Sequence, residues 1–291
     1  MNAKDRLDLH GPWSVYITYR AHGIIHFGTG VLIDFNWVLT EAHIFEAFTK
    51  QRSNNKPVFK PYRPVMMISG SLDRNTNDPS AQVTEAAEVY IYPEYSYTDP
   101  DVNSYNDIAL VRLSRRLNHT NSVSPMCLSQ LPKDLSGMHA EFQGWGALRV
   151  GSSHPARRLH QARVQIVAEE KCKKQYNHGL VKPMVMDSHV CAEGKESDQD
   201  KNWRAGRVIN HSAVKKNEQV GACAGDSGGG LMIELNDRKT LVGLTSWGGP
   251  CDNYPNHPMV FTRVNSYLDW IELITGLRAC HFQNGSIQTG V

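Results

Sequence analysis

GACAGDSGGG, residues 221–230, is the stretch of this sequence that decides its interpretation. Ser227 stands between Asp226 and three glycines, and Gly225 lies two residues before the serine. A nucleophilic hydroxyl needs a tight turn whose N–H groups converge on a developing oxyanion, and glycines permit such a turn. A flexible glycine loop has the same composition. The run by itself therefore leaves both interpretations open.

Two further segments favour the nucleophile. The sequence LTEAH ends at His43 after the strand-like stretch 29–38, and NDIALVRL places Asp107 directly before an apolar strand. Each residue alone is usually structural, but together they give the order His, Asp, Ser, one of the orders found for a catalytic triad. With these motifs the chain resembles the trypsin/chymotrypsin-like serine endopeptidases over about residues 11–277.

The resemblance implies an all-β fold of two packed six-stranded antiparallel β-barrels followed by a C-terminal helix. We expect a single protease domain over residues 1–291, with no cofactor and no metal. Its first barrel would cover about residues 11–124, its second barrel and helix about 125–277, and a tail 278–291.

The resemblance also assigns roles. Ser227 attacks the scissile carbonyl, His43 takes its proton and returns it to the leaving amine, and Asp107 orients the imidazole. The N–H groups of Gly225 and Ser227 would form the oxyanion hole. The substrate backbone would pair as an added strand with Ser246, Trp247 and Gly248.

The specificity pocket departs from that of trypsin. Its base is Gly221 instead of aspartate, so a buried Arg or Lys of the substrate would have no partner. Gly248 keeps one wall open, but Met259 stands where a glycine usually admits long side chains, and its thioether could fill the lower pocket. Ala222 and Ala224 complete the substrate-binding positions. We expect a shallow apolar pocket for Ala, Val or Leu, nearer to elastase than to chymotrypsin.

Composition excludes several classes of protein. The chain has 291 residues, 40% of them hydrophobic, which is enough for a full core. Its net charge of +2 argues against nucleic acid or an anionic membrane as a partner. No apolar run approaches the roughly 20 residues of a membrane span. Residues 1–10 are polar and charged, unlike a signal peptide.

The six cysteines favour disulfides over a metal site, because no CxxC pair occurs. By the family pattern, Cys172 pairs with Cys191 and Cys223 with Cys251. The remaining two are Cys127 and Cys280. In many relatives a cysteine at position 127 bonds an upstream segment, but in this chain we favour an internal Cys127–Cys280 bond because the linker and C-terminal helix lie close together in this fold.

Two bridges common in the family are missing at both ends. The positions are Phe27 and Ile44 for one bridge, and Ala140 and Ile233 for the other. Pairwise loss is typical of a disulfide framework, which indicates an oxidising compartment. We therefore expect a secreted protein, of which this sequence is a mature fragment or an excised domain.

Local patterns predict several elements. Residues 11–18 alternate like a half-buried strand, and residues 87–93 read as another strand. Residues 265–274 read as an amphipathic helix that is capped by Asn265 and ended by Gly276.

The segment Glu193–Glu218 is polar and much longer than the family needs between Cys191 and Cys223. It is either a solvated surface loop or an exosite beside the specificity pocket. Sequons for N-glycosylation occur at Asn118, Asn210 and Asn284.

Activation is the main departure from the family. A freed Ile or Val amino group normally pairs with the aspartate before the nucleophile, here Asp226. No such segment precedes Trp13, and Leu7, after Arg6, lies too close to Trp13 at roughly 3.3–3.6 Å per residue. Either the sequence begins just past the activation site, or the protein stays zymogen-like.

A second departure is Glu41, where relatives carry alanine. If buried, it would raise local carboxylate pKa values near Asp107; it could instead turn to solvent.

Two functions follow from these motifs and departures. One is a secreted serine endopeptidase acting on proteins, with an upstream pro-segment or domains and protein inhibitors as partners. The other is a protease homologue that binds or regulates without catalysis.

Overall fold

The structure is a computed structural model that describes residues 11–49, 57–74, 78–96, 105–148, 152, 154–177, 185–194, 222–248, 258–283 and 286–288. Two closed antiparallel β-barrels follow one another along the chain. The expected chymotrypsin-like architecture, with a helix after the second barrel, is confirmed.

The first barrel closes where β6 pairs with β7, around the order β6-β5-β1-β2-β3-β7, and β4 adds to the edge of β6. Its strands are β1 (Ser14–Ala21), β2 (Ile24–Asp34), β3 (Trp37–Thr40), β4 (Val58–Phe59), β5 (Val65–Ser69), β6 (Gln82–Ile91) and β7 (Ala109–Leu113). A 3-10 turn (His43–Phe45) and the short helix α1 (Glu46–Thr49) follow β3.

The second barrel has the order β10-β13-β12-β11-β8-β9 and closes between β9 and β10. Its strands are β8 (His139–Gly144), β9 (His160–Ile166), β10 (His189–Glu193), β11 (Gly230–Leu235), β12 (Arg238–Trp247) and β13 (Met259–Arg263). Helix α2 (Glu169–Tyr176) precedes β10. The described part of the chain ends with a 3-10 turn (Val264–Tyr267), helix α3 (Leu268–Thr275) and the hairpin of β14 (His281–Gln283) and β15 (Ser286–Gln288).

The first strand is not half-buried as its alternation predicts. Val15 and Ile17 point into the barrel core, but Ser14 and Tyr16 on the other face are buried as well. The Ser14 hydroxyl donates to Gln143 at 2.9 Å, and Tyr16 packs edge-on against a tryptophan of the second barrel. The outer face of β1 is therefore covered by the second barrel.

Two other predicted elements need correction. The stretch 29–38 is not one strand: β2 and β3 form a hairpin whose turn holds the Asn36 N–H on Asp34 Oδ1 at 2.8 Å. Asn265 does not cap the last helix; its Oδ1 accepts the Leu131 N–H at 2.9 Å instead, in the linker between the barrels. The predicted end is confirmed, since Gly276 closes α3 with φ 73°.

The disulfides follow the expected pairing where the structure describes them. Cys172 bonds Cys191, and Cys127 bonds Cys280. Cys223 is also disulfide-bonded, and its expected partner lies outside the described residues.

One of the missing family bridges is replaced by an apolar contact. Ala140 on β8 is the direct cross-strand partner of Ile233 on β11, and both are buried in the second core. Among the described residues, no helix is both long enough and apolar enough to cross a membrane.

Candidate active site

Strand pairing brings His43 and Asp107 together. Strands β3 and β7 are antiparallel with Thr40 opposite Ala109, so the residues just after Thr40 and just before Ala109 meet at one end of the barrel. Asn106 has φ 52°, and its side chain binds the Tyr267 hydroxyl, which fixes the turn that presents Asp107.

Asp107 and His43 form a hydrogen-bonded pair in which only the carboxylate is fully buried. The imidazole Nδ1 lies 2.7 Å from Asp107 Oδ2, and the His43 backbone N–H donates to Oδ1 at 2.9 Å. The Ser246 hydroxyl donates to Oδ2 at 2.9 Å. Asp107 is 1% exposed and the imidazole 27%, so the carboxylate is enclosed while the ring keeps an open edge.

The electrostatics of the pair favour an ionised Asp107. Burial opposes ionisation, but the attraction of His43 and the hydrogen bonds hold the pKa of Asp107 below its usual value. Burial likewise disfavours the imidazolium, yet the charge and hydrogen bond of Asp107 raise the pKa of His43 above 6.5. The Nδ1–H bond to Asp107 leaves Nε2 as the free nitrogen of a neutral ring.

The turn that carries Ser227 is held between the barrels. The Asp226 N–H donates to Cys223 at 3.0 Å across a turn whose third residue, Gly225, has φ 98°. The Thr29 N–H of the first barrel donates to the Ser227 carbonyl at 2.8 Å, and the Gly228 N–H reaches Thr245 on β12 at 2.8 Å. Ser227 therefore projects from a backbone fixed on both sides.

Gly225 allows no side chain. Besides its positive φ, an added Cβ there would overlap the ring of Phe27, one of the positions of a missing family bridge. The N–H groups of Gly225 and Ser227 donate no hydrogen bond within the described part of the chain. Buried backbone N–H groups are normally paired, so these two are candidate donors to a ligand.

Ser227 and His43 are not hydrogen-bonded to each other in this structure. In proteases and related enzymes such bonds are often long before substrate binds.

Asp226 points away from Ser227 into the interior. Its carboxylate accepts the N–H groups of Gly146 at 2.7 Å and of Cys223 at 2.9 Å. Added Cβ atoms at Gly144 and Gly146 would collide with it, which explains the glycines on either side of Trp145. Burial outweighs the two hydrogen bonds and raises the pKa of Asp226 to about 6.

The expected substrate-pairing strand has a distinctive backbone. The register of β12 on β13 shifts between Thr245 and Trp247, so Ser246 sits in a β-bulge, where one residue is left without a ladder partner. The Trp247 ring packs edge-on against Tyr176 at 5.0 Å, and Gly248 is exposed.

The residues expected to line the specificity pocket are described in part. Met259 is fully buried in the second core, and its sulfur accepts the Ala222 N–H at 3.2 Å. Ala224 is exposed, and its carbonyl accepts the Ala147 N–H at 2.8 Å. Gly221 lies outside the described residues.

The expected long loop and the glycosylation sites lie mostly outside the described residues. Glu193 ends β10, is 8% exposed and pairs with Lys171 at 2.6 Å, so it belongs to the barrel instead of the long loop. Residues 195–218 of that loop are not described. Asn118 is exposed, as a glycosylation site must be, while Asn210 and Asn284 lie outside the described residues.

Glu41 does not turn to solvent. It is fully buried. One carboxylate oxygen of Glu41, one of Asp107 and a ring nitrogen of His43 all lie within 4.8 Å of one another. The pKa of Glu41 is raised well above its usual value by burial and by Asp107. The expectation of raised carboxylate pKa values thus holds for Glu41 and is wrong for Asp107.

Sequence reasoning missed one residue of this cluster. The Thr262 hydroxyl on β13 lies 2.9 Å from the Asp107 carbonyl and 3.2 Å from Glu41 Oε2. Nothing in the local sequence around Thr262 signals this contact, because its partners lie 155 and 221 residues away in the chain. Ser246, expected to contact substrate, also holds Asp107.

Two antiparallel barrels with a histidine–aspartate pair and a glycine-bounded serine turn at their junction define a chymotrypsin-like protein. Comparison with known proteins agrees with this class. The family model described as Trypsin matches residues 2–204 and 201–271. The chain therefore belongs to the trypsin family, the trypsin-like serine proteases.

Two curated relatives illustrate the range of the family. The chain is 33% identical over 267 residues to a urokinase-type plasminogen activator of Gallus gallus, covering 90% of this chain and 54% of the relative. It is 28% identical over 273 residues to a complement C1s subcomponent of Sus scrofa, covering 89% of this chain and 33% of the relative. The chain thus spans about half or less of these relatives.

Proposed function

We propose that this chain is the serine endopeptidase domain of a secreted protein. The observation that carries the proposal is the pair of His43 with the buried Asp107 at 2.7 Å, adjoining a turn in which the N–H groups of Gly225 and Ser227 are unpaired within the described chain. This combination supplies an oriented base and two donors for an oxyanion.

Each group has one role in the reaction. Neutral His43 takes the proton of the Ser227 hydroxyl through Nε2 as the oxygen attacks the peptide carbonyl. Asp107 accepts the Nδ1–H and stabilises the imidazolium. The N–H groups of Gly225 and Ser227 bind the oxyanion, and the leaving amine takes the proton from His43. Water then attacks the acyl-enzyme, and His43 takes the proton of the water and passes it to the departing Ser227 oxygen.

We infer a preference for small or medium apolar residues before the cleaved bond. The support is Met259, which is fully buried and whose sulfur accepts the Ala222 N–H, so its thioether is held beside a segment expected to line the pocket. The register of β12 on β11 ends at Leu244, which supports a substrate strand beside residues 246–248 on that edge.

We also infer the organisation and control of the domain. The two barrels and the helix form one protease unit, with its tail from residue 278 bonded back through Cys280. Asp226 is buried, and within the described residues only backbone N–H groups bind it, so an amino group freed upstream would find a carboxylate there. The disulfides support an extracellular site, and the exposed Asn118 supports glycosylation.

Labelling with a fluorophosphonate probe tests the proposal. The protein carries its native upstream sequence, cut at the activation site, and Ser227→Ala is the control. We expect labelling of the cut protein that keeps Ser227 and none of the Ser227→Ala variant. Absence of labelling in both would contradict the proposal and leave the binding or regulatory homologue as the alternative.

A further inference from the structure

Glu41 is a buried carboxyl group that the proposed reaction does not use. It directly follows β3 and is 0% exposed. Its Oε2 lies 3.2 Å from the Thr262 hydroxyl, and its Oε1 has no hydrogen-bond partner in the part of the chain that the structure describes. A carboxylate in this position would leave an oxygen both charged and unsolvated, which is costly.

The hydrogen atoms around Thr262 decide the state of Glu41. A threonine hydroxyl has one proton to donate, and its shorter contact, 2.9 Å, is with the Asp107 carbonyl, which can only accept. One proton cannot serve both contacts at full strength, and protonation of Glu41 would let Thr262 accept the longer contact, at 3.2 Å. Glu41 can donate this bond only if Oε2 carries a proton.

The neighbouring charges lead to the same result. Asp107 has three donors on its carboxylate, from the His43 ring, the His43 backbone and Ser246, so it keeps the negative charge of this cluster. A second carboxylate beside it is strongly disfavoured. The imidazolium of His43 could balance only one negative charge, and it is already paired with Asp107.

No other cation in the described chain is turned towards Glu41. Burial lowers the pKa of His189 to about 4, so that ring is neutral. The Arg263 guanidinium donates to the backbone carbonyls of 187, 189 and 133. The Tyr267 hydroxyl donates to Asn106, and burial raises its pKa above the usual value.

We propose that Glu41 is a neutral carboxylic acid at physiological pH, and that it donates its proton to Thr262 and thereby acts as a positioning residue for Asp107. The hydrogen-bond chain runs from Glu41 to the Thr262 hydroxyl and on to the Asp107 carbonyl. It fixes the main chain of Asp107 from below, while Ser246 and His43 fix its carboxylate. The effect on catalysis rests on the proposed function; the protonation state does not.

The surroundings of this hydrogen-bond chain support the neutral state. Burial first and Asp107 next raise the pKa of Glu41, and together they outweigh the Thr262 and Ser246 hydroxyls, which lower it when they donate to the carboxylate. Thr262 is only 1% exposed, so bulk water does not compete with Glu41 for its hydroxyl.

Carbon-13 NMR of the glutamate carboxyl groups tests the protonation state. The chain is labelled at Glu Cδ, and the Glu41 signal is assigned by its absence in Glu41→Gln. We expect the shift of a protonated carboxyl through pH 7. A signal that titrates near the ordinary value of about 4.5 would overturn the proposal.

The positioning role is tested by the low-field proton of the His43–Asp107 hydrogen bond. We expect this resonance in the parent and in Glu41→Gln, whose amide donates to Thr262 as the acid does. We expect it to broaden or disappear in Glu41→Ala and in Thr262→Val. An unchanged resonance in both of these folded variants would contradict the role. This readout needs no activity, so it stands even if the protease proposal fails.

If the chain is active, kinetics add a third measure. Glu41→Ala should lower kcat about tenfold with little change in KM, because the misplaced group acts on the chemical step. Glu41→Gln should restore most of that loss, with the acid limb of the kcat/KM profile unmoved. A lowering of that limb by about one pH unit in Glu41→Gln would mean that Glu41 carried a charge beside His43, and would overturn the proposal.

Discussion

Single residues set the chemistry of this site through their surroundings in space. Asp107, Glu41 and Asp226 are all buried carboxyl groups, yet burial gives them three different outcomes. Despite burial, the His43 ring, the His43 N–H and the Ser246 hydroxyl hold the pKa of Asp107 below its usual value, whereas burial and the neighbouring Asp107 raise the pKa of Glu41. Two backbone N–H groups only partly offset the burial of Asp226, whose pKa is about 6. The balance between burial, hydrogen-bond donors and nearby charge decides the state of each carboxyl group.

Met259 is the residue on which the inferred specificity depends. In Met259→Ala we expect cleavage after larger apolar residues such as Phe to rise relative to Ala or Val, because the pocket floor drops. Profiling with a peptide library that varies the residue before the cleaved bond measures this shift.

Met67→Ala is the matched control for Met259→Ala. Met67 is equally buried, in the core of the first barrel, so both variants should lose about 2–5 kcal/mol of stability. Only Met259→Ala should change the profile. A strong preference of the parent for Arg, Lys or Phe would contradict the inferred pocket.

At the scale of elements, backbone geometry is more predictable than capping. Gly276 ends the last helix, as its place in the sequence predicts, with φ 73°. Asn265, predicted to begin that helix, lies in the preceding 3-10 turn, and its side chain accepts the Leu131 N–H of the linker. The helix therefore starts without a side-chain cap. A positive φ is a local requirement, whereas a hydrogen-bonding side chain goes to whichever donor the fold supplies.

Gly276→Ala tests the backbone requirement directly. An added Cβ at this position meets nothing within 4 Å, so the cost comes from the positive φ alone. We expect a loss of about 1 kcal/mol in the free energy of unfolding, measured by urea denaturation. Gly276→Asn, which tolerates this conformation better, should lose less. Equal losses in both variants would contradict the explanation.

At the scale of the molecule, the two barrels share an interior. A third core cluster takes residues from both, including Leu39 and Leu110 of the first barrel, Leu241 of the second and Ile271 of α3. The linker passes along this cluster, and the Cys127–Cys280 bond ties the tail to it. The Cys280 N–H also donates to Leu128 at 2.7 Å.

Replacing Cys127 and Cys280 by serine should lower the free energy of unfolding by about 2–5 kcal/mol, because the bond closes a loop over 153 positions. Thermal unfolding measures this loss. Hydrogen exchange of residues 278–283 should also accelerate. Without the disulfide, residue 280 would be held to the linker by the bond of its N–H to Leu128 and of its carbonyl to Ser129. The matched variant without Cys172–Cys191, a separation of 19, should lose less from loop closure alone. An unchanged unfolding temperature would show that the tail does not support the core.

The sequence by itself determined the architecture and the candidate site. The serine turn, the histidine after β3 and the aspartate before β7 are local motifs, and the family resemblance that they carry implies two barrels with a site at their junction and the pairing of the cysteines. Only the tertiary structure decided that the outer face of β1 is covered by the second barrel and that Asn265 binds the Leu131 N–H. It also decides which buried carboxyl group stays protonated. Those outcomes depend on contacts such as Glu41 with Thr262, 221 residues apart, and desolvation and donor number are properties of the packed neighbourhood that no local pattern encodes.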